Sequence, residues 1–411
     1  MGRLVRKEKS SKTILDLATI AVFSVAFNSD WHSSGLIWWG VLFLFFICFL
    51  LQEKGKLFLE KGYTIWILLF VVVCGGSVSW ASSKQLVITL MVGLFVNLSV
   101  LLLLRSSIHC REDVKRTMIL LLIAISVNGL YMLIINRHSI TGVNTGIQST
   151  ANRLGGQNGW NANSIGMLMS IGFIIYFYLF QTEKRIVFKI LYGLACVLAT
   201  FIALVTGSRK AFVTVIVGAV AYLLFDAKGK RSRNIIIITG VITILYYIVR
   251  KIPYFYAIIG WRLDGALALF IGKGVVDHST MIRSQFVEAG IKVFLSHPIL
   301  GVGIDCFRQY NAAITGYSWY AHNDYVEILA DLGIVGFLIY YVAYAYLFKN
   351  FYKRFKEDKF TKLLFAIFIC VLLDGYGAVI YSDFLFQTIL MIIFAWFTTT
   401  FAGESKKCLR D

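Results

Sequence analysis

The chain has 411 residues, of which 58% are hydrophobic and two are proline, and its mean hydropathy is +0.74. No soluble domain could bury so much apolar surface, so the composition excludes soluble enzymes and indicates an all-α, polytopic integral membrane protein. The net charge of +18 is typical of basic cytoplasmic loops attracted to anionic lipid, and we expect no nucleic acid as a partner.

About twelve apolar runs, each long enough to cross a bilayer, follow one another along the chain. They lie near residues 13–29, 35–52, 63–82, 85–104, 117–136, 162–181, 186–206, 210–226, 234–250, 327–348, 361–381 and 384–402. The first run carries Asp16, the eighth is short, and Ser382 and Asp383 alone separate the last two. We expect a single membrane domain over residues 1–411, with one large outer loop, 250–326, that carries short helices.

The distribution of positive charge predicts how these spans are oriented. Most of the 40 Lys and Arg residues lie in the N-terminal segment and in loops 53–62, 105–116, 182–189, 227–233, 349–362 and 403–411. Loops rich in Lys and Arg stay in the cytoplasm. The sequence therefore predicts a multi-pass protein with both termini cytoplasmic and loop 250–326 extracytoplasmic. The first apolar run lacks a small-residue cleavage site, and we expect it to be a retained span.

Several kinds of site lack their usual sequence support. The cysteines form no CxxC pair and no His/Cys cluster with metal-ligand spacing, so neither a metal site nor a redox function is indicated. The absence of P-loop, GxGxxG and GxSxG motifs argues against nucleotide-driven transport and serine-hydrolase chemistry. Internal repeats typical of an alternating-access transporter are not visible.

A polar segment at residues 153–163 leads into the sixth span on the predicted outer side. It begins with Arg153 and runs through glycines and asparagines to Asn163. Such a segment frees backbone N–H groups at a helix N-terminus, which suits an anion. A flexible polar loop is the alternative interpretation.

A second outer segment is the sharp turn at residues 206–210. It joins two apolar runs through Arg209 and Lys210, on the side where cations are disfavoured. Arginine pairs well with phosphate oxygens, and a low dielectric strengthens the pair near a bilayer. The alternative is that both side chains anchor the protein to lipid headgroups.

The third segment is the large loop 250–326. Its apolar run 265–272 is too short to span and is predicted to be interfacial, and an amphipathic helix follows from Met281, with Arg283 near its start. This helix is predicted to stop at residues 296–298, where His297 is interpreted as a helix-end residue, before a tight glycine turn at 301–303. The aromatic residues that follow suit either sugar stacking or an interfacial belt; they are Tyr310, Tyr317, Trp319 and Tyr320.

The pattern His322-Asn323-x9-Gly333-x-x-Gly336 closes the loop. At about 100° per residue, Gly333 returns to within roughly 20° of His322, three turns deeper on one helix face. A bare helix face lets a neighbouring helix approach closely. The spacing predicts a rigidly held histidine at the outer mouth of a span. An ordinary interfacial histidine with packing glycines remains the alternative.

Taken in order, these segments resemble the O-antigen ligase and polymerase superfamily, over about residues 150–348. The resemblance implies a glycosyltransferase in the bacterial cytoplasmic membrane, with an extracytoplasmic active site and a glycan on undecaprenyl diphosphate as donor. It implies that His322 is the catalytic residue and that a diphosphate is held by Arg209, Arg283, Arg153 and Lys210. We assign substrate positioning to Asn323, Glu327, Asn163 and Tyr320, and expect no metal and no cofactor.

Two reactions fit this resemblance. A polymerase adds lipid-linked oligosaccharide repeat units to one another, giving O-antigen of lipopolysaccharide or capsular polysaccharide; a ligase moves the finished polymer to lipid A–core or another acceptor. We favour the polymerase, with a glycan or lipid-linked glycan as acceptor and a chain-length regulator as a further partner. A transporter or lipid flippase would predict charged residues at mid-membrane, where Asp374 is the clear candidate.

Overall fold

A computed structural model of the protein describes residues 2–146, 149–155, 161–225, 231–271, 277–354 and 358–399. Within these ranges every regular element is helical, which confirms the all-α prediction. The helices are α1 Gly2–Ala26, α2 Ser29–Ser33, α3 Gly35–Glu53, α4 Lys61–Gly76, α5 Lys84–Ser106, α6 Arg111–Ile135, α7 Arg137–Thr141, α8 Ala162–Thr182, α9 Ile186–Val205, α10 Arg209–Phe225, α11 Arg231–Lys251, α12 Pro253–Phe255, α13 Trp261–Ile271, α14 His278–Ser296, α15 Phe307–Thr315, α16 Asp324–Arg354, α17 Lys359–Gly375 and α18 Phe384–Thr398.

Eight of the helices in the described part of the chain are long and apolar enough to cross a membrane. They correspond to α3, α4, α5, α6, α8, α9, α11 and α16. The other four predicted spans are also helical, in α1, α10, α17 and α18. Of these, α10 and α17 have 17 residues each and α18 has 15, so the chain is a polytopic membrane protein with helices of unequal length.

The chain divides into two compact units. Unit 1 comprises Met1–Ala124, Arg283–Lys353 and Gly375–Asp411, and unit 2 comprises Ile125–Ile282 and Arg354–Asp374. Some predicted segments fall outside the described residues. These are parts of the polar segment 153–163 (156–160), of the apolar run 265–272 (272) and of the segments predicted to be cytoplasmic (226–230, 355–357 and 400–411).

The core of unit 1 is built around α18. Residues 384–397 are all buried, and the ring of Phe394 contacts Tyr63 and Trp66 of α4 and Tyr346 of α16. A helix buried on all sides must be apolar around its whole circumference, as α18 is. The carboxylate of Asp16 in α1 is accommodated because Arg116 Nε of α6 donates a hydrogen bond to it at 2.7 Å.

In unit 2, α8 packs closely against the turn between α9 and α10. A Cβ atom at Gly166 would lie 2.8 Å from Thr206 Oγ1 and from Ala211 Cβ, so only glycine permits this approach. Ser170 Oγ donates to Ala211 O at 3.0 Å. The first turns of α8 are thereby held against residues 206–211, which carry the candidate cations.

The boundary predicted for the eleventh span is wrong. The sequence pattern extends to residue 381, whereas α17 ends at Gly375 and residues 376–383 are not helical. In unit 1, the N–H groups of Ile380 and Tyr381 donate to Asp324 Oδ1 at 2.6 and 2.9 Å. This buried carboxylate satisfies main-chain groups that a helix would have paired, so an apolar segment is stable without helical structure.

The prediction of one continuous helix face through His322 and Gly333 is also wrong. His322 precedes α16, and α16 is broken at Gly333, where φ is 61° and ψ is −164°. At the break, Ile334 N donates to Pro298 O at 2.9 Å and Val335 N donates to Ile299 O at 3.3 Å. The loop after α14 therefore supplies the acceptors that the preceding helical turn would otherwise have provided.

The glycine turn at 301–303 and the glycines of α16 meet at one junction. A Cβ at Gly333 would lie 2.3 Å from Ile299 O, and a Cβ at Gly301 would lie 2.3 Å from the carbonyl carbon of Asp331. In return, Val302 N donates to Ala330 O at 3.1 Å. The bare surface of α16 thus receives the backbone of residues 298–303, where we had expected a neighbouring helix.

Candidate functional site

One candidate site, in unit 1, is the entry to α16. His322 has a φ of 54°, in the left-handed region that non-glycine residues rarely adopt. The preceding N–H, of Ala321, donates to Glu327 Oε2 at 2.5 Å, and Glu327 N donates to Asn323 O at 2.9 Å. Asn323 Oδ1 accepts from Val326 N at 3.1 Å. Asn323 and Glu327 therefore cap α16 and fix the main chain on both sides of His322.

Aromatic rings surround the His322 imidazole. The ring centroid of Tyr320 lies 4.2 Å from that of His322, and those of Phe286 and Trp319 lie at 6.1 and 6.2 Å. The planes of Phe286 and Trp319 are inclined by only 11° and 22° to the imidazole. Burial raises the pKa of Tyr320, so its hydroxyl remains protonated. The histidine is half-buried in a rigid, mainly apolar wall.

Arg283 of α14 belongs to the same neighbourhood as His322 and Tyr320. It lies one helical turn before Phe286, whose ring centroid is 6.1 Å from that of His322. Its positive charge opposes the effect of burial on the pKa of Tyr320. Arg283 is half-buried. The structure therefore places Arg283, Tyr320 and His322, three of the residues predicted from the sequence, in one neighbourhood of unit 1.

Two carboxylates of unit 1, on Asp331 and Asp305, fix the main chain at the start of α15. Asp331 accepts hydrogen bonds from the N–H groups of Asp305 and Phe307 at 2.7 and 2.8 Å. Asp305 is also paired with Arg308. Burial raises the pKa of Asp305, although the charge of Arg308 opposes that shift. The sequence analysis missed these residues; the acid-x-x-Arg spacing at the start of α15 was the available signal.

Asp324, the second residue after His322, was also missed. It is fully buried, accepts from Tyr341 Oη at 2.7 Å, and binds the N–H groups of the 380–381 segment as described above. Its position in the first turn of a helix could have indicated a role there, because carboxylates are favoured at helix N-termini. In the structure Asp324 fixes the segment before α18 to the entry of α16.

A separate candidate site, in unit 2, is the turn between α9 and α10. Gly207 has a φ of 58°, and a Cβ there would lie 2.8 Å from Ile258 O. Arg153 Nε donates to Thr206 O at 2.7 Å, and Arg262 Nη1 donates to Gly207 O. Arg153 Nη2 also donates to Asn163 Oδ1 at 2.9 Å. Two arginines thus satisfy carbonyl groups at the C-terminus of α9, which helix geometry leaves without partners.

Arg209 is held by residues at the start of α14. Its Nη1 lies 2.5 Å from Asp277 Oδ2 and also donates to Thr280 Oγ1, and its Nη2 donates to Ser279 Oγ at 3.2 Å. Burial alone would raise the pKa of Asp277, but hydrogen bonds from Ser279 and Thr280 and the charge of Arg209 lower it to about 2. Asp277 is therefore ionised at neutral pH, and the guanidinium that we assigned to a phosphate already contacts an anion.

Asp277 and Arg262 were not anticipated from the sequence. Asp277 precedes α14 and its Oδ1 accepts from Thr280 N at 3.2 Å, which is the geometry of an N-cap. That cap signal is visible in the sequence, but its contact with Arg209, 68 positions away in the chain, is not. Arg262 is buried, and its main-chain oxygen accepts from Arg209 Nη1 at 3.3 Å. Arg262 thus contacts the turn twice and orients Arg209.

The predicted residues fall into two groups. Within unit 2 the structure brings Arg153, Asn163 and Arg209 to one turn, and Lys210 follows Arg209 at the start of α10. The group in unit 1 consists of Arg283, Tyr320, His322, Asn323 and Glu327. Over the described ranges no group of three or more His, Cys, Asp or Glu side chains is placed to hold a metal ion.

Comparison with known proteins identifies the segment that carries most of these residues. Residues 194–341 match the family model described as O-antigen ligase. The match contains Arg209, Lys210, Arg283 and the residues from Tyr320 to Glu327, but not Arg153 or Asn163. The resemblance to the O-antigen ligase and polymerase superfamily, inferred from the motifs, is confirmed over this segment. A search of curated proteins gave no match.

Proposed function

We propose that this protein is a membrane glycosyltransferase that joins undecaprenyl-diphosphate-linked oligosaccharide repeat units into O-antigen or capsular polysaccharide at the outer face of the bacterial cytoplasmic membrane. The family match indicates glycosyl transfer and a lipid-linked glycan as substrate. The observation that carries the proposal is the entry to α16, where His322 is held in a left-handed conformation within the matched segment. Such backbone strain is typical of functional sites.

The reaction requires a group that accepts the proton of the attacking hydroxyl. In our proposal the acceptor oxygen bonds to the anomeric carbon of the donor glycan, the bond from that carbon to the diphosphate oxygen breaks, and His322 takes the hydroxyl proton. Imidazole is the side chain best suited to proton transfer near neutral pH. Asn323 and Glu327 hold it in place through the main chain, so they are positioning residues.

The departing undecaprenyl diphosphate carries negative charge that cations must stabilise. We assign this role to Arg209 and Arg283, with Arg153 and Lys210 as additional cations. For Arg209, we propose that a phosphate oxygen takes the place of the Asp277 carboxylate, which lies 2.5 Å from Nη1. Exchanging one anion for another avoids the cost of leaving a guanidinium desolvated and unpaired. Ser279 and Thr280 could then donate to the phosphate, since their hydroxyl groups already face this point.

The ligase reaction is the second candidate, and the family match fits it as well as it fits the polymerase. Both reactions use the same donor and the same chemistry, and they differ in the acceptor. The transporter alternative is weaker, because Asp374, the candidate mid-membrane charge, accepts a hydrogen bond from Thr214 Oγ1 at 3.0 Å in unit 2, while the cationic and histidine residues lie at helix ends.

Deletion of the gene, with and without complementation by His322→Ala, separates these functions. A polymerase deletion should leave lipid-linked single repeat units and should abolish polymer. A ligase deletion should instead leave full-length polymer on the lipid carrier. We expect the first result, and His322→Ala should reproduce it at normal protein level. Restoration of polymer by His322→Ala would contradict the proposed mechanism.

A further inference from the structure

The loop that precedes His322 exposes a set of large apolar side chains. Trp319 is 54% exposed, Tyr317 is 41% exposed, and Ile314 in α15 is 47% exposed. The exposed positions between them, Gly316 and Ser318, are small. An exposed apolar surface beside a site of chemistry is typical of ligand binding. We call Trp319, Tyr317 and Ile314 the aromatic rim.

The main chain under the aromatic rim is fixed although the side chains are exposed. Asn311, which is fully buried, donates from Nδ2 to Trp319 O at 2.8 Å, and its Oδ1 accepts from Thr315 Oγ1 at 3.1 Å. Gly316, with a φ of 83°, ends α15 and starts the loop. The main chain that carries the indole is therefore held in place before any ligand binds, which reduces the entropy lost on binding.

The indole of Trp319 lies nearly parallel to the imidazole of His322. The two ring planes are inclined by 22° and their centroids are 6.2 Å apart, a separation comparable to the width of one sugar ring. The face of an indole carries negative charge density, and the C–H groups on one face of a pyranose ring carry partial positive charge. A sugar stacked on Trp319 would therefore lie within about one ring width of the imidazole, so one of its hydroxyl groups can approach His322.

We propose that Trp319 is the acceptor subsite: it stacks on the terminal pyranose ring of the acceptor glycan and presents one hydroxyl group of that sugar to His322. This inference rests on the proposed transfer reaction and names the part of the site that recognises the acceptor. A lipid surface is the other ligand that an exposed tryptophan suits. A lipid anchor requires neither alignment with His322 nor a main chain fixed by the buried Asn311, so the geometry favours a sugar.

The test uses purified full-length protein and compares Trp319→Ala, Trp319→Leu and Trp319→Phe. The donor is the undecaprenyl-diphosphate-linked repeat unit purified from a His322→Ala strain, and the acceptor is the oligosaccharide released from it by mild acid. Trp39→Ala is the matched control, because Trp39 is 58% exposed but lies on α3. Liposomes of anionic phospholipid measure lipid binding.

We expect Trp319→Ala and Trp319→Leu to raise the KM for the acceptor about tenfold, the loss typical of removing one stacked ring. The kcat and the KM for the donor should stay near the wild-type values. Trp319→Phe should retain most of the affinity because it keeps an aromatic face, whereas leucine keeps only apolar bulk. Trp39→Ala should behave as wild type.

An unchanged acceptor KM in Trp319→Leu, with His322→Ala inactive, would overturn the acceptor subsite and leave the proposed function intact. Transfer by His322→Ala would instead overturn the proposed function. Weaker liposome binding by Trp319→Leu, with an unchanged acceptor KM, would assign the aromatic rim to lipid and contradict the proposal. If Trp319→Ala does not fold, as judged by size-exclusion chromatography, the leucine and phenylalanine variants carry the test.

Discussion

Substitution of Gly333 by alanine should destabilise the protein through the junction in α16. With a φ of 61° and a ψ of −164°, the backbone lies in a region that is costly for any residue with a Cβ, by about 1–3 kcal/mol. The Cβ would also lie 2.3 Å from Ile299 O, so α16 and the segment after α14 would have to move apart. Losing the bonds from Ile334 N and Val335 N adds about 1 kcal/mol each, for a total of roughly 3–5 kcal/mol.

The assay is thermal unfolding of the purified protein, followed by size-exclusion chromatography of heated samples. A loss of this size should lower the Tm by on the order of 10 °C. Gly93→Ala in α5 is the matched control, since nothing lies within 4 Å of its Cβ position, and it should be neutral or slightly stabilising. If Gly333→Ala unfolded at the same temperature as Gly93→Ala, the junction would not have the structure described.

The remaining predictions concern the diphosphate site and the topology. Arg209→Ala and Arg283→Ala should each reduce transfer roughly 30- to 1000-fold, from the loss of about 2–4 kcal/mol, and lysine should rescue only partly because it lacks the bidentate fork; wild-type kinetics would reject the clamp. Because the pKa of Asp277 is lowered to about 2, its ion pair with Arg209 stabilises the protein fully above the ordinary pKa range of Asp. This stabilisation is lost only as the pH falls towards 2. Asp277→Asn should therefore lower the donor KM severalfold without changing the shape of the pH–rate profile between about pH 5 and 8, and an altered shape would contradict this. Cysteine labelling of intact cells should reach position 316 but not position 56, and the reverse would invert the predicted orientation.

Local properties of the sequence predict much of the fold. Apolar runs of sufficient length identify the spans, and the structure places a helix at each of the twelve, from α1 to α18. Gly207 in the 206–210 turn and Pro298 predict where α9 and α14 end, because these residues interrupt helices by their own backbone preferences. The cations at 153 and 209 are found at one turn, as expected for residues that both lie next to the ends of predicted spans.

The rest depends on contacts between positions far apart in the chain. Nothing in the apolar run around Gly333 signals a broken helix, since the acceptors that replace its hydrogen bonds come from residues 298 and 299. The same holds for the non-helical segment 376–383, which is stabilised by Asp324, and for Arg209, whose partner Asp277 lies 68 residues away. Pattern and propensity report on neighbours along the chain, whereas these features are decided by tertiary hydrogen bonds.

The measurement that tests the central claim most directly is the rate of transfer by purified His322→Ala, with the wild-type protein as reference. Loss of a general base typically costs about 10²–10⁴-fold, so product formation should fall by that factor while the protein elutes as folded. Wild-type transfer should also fall as the pH is lowered and imidazole becomes protonated, and it should survive EDTA if arginines carry the diphosphate charge. A His322→Ala protein that transfers the glycan at near wild-type rate would contradict the account.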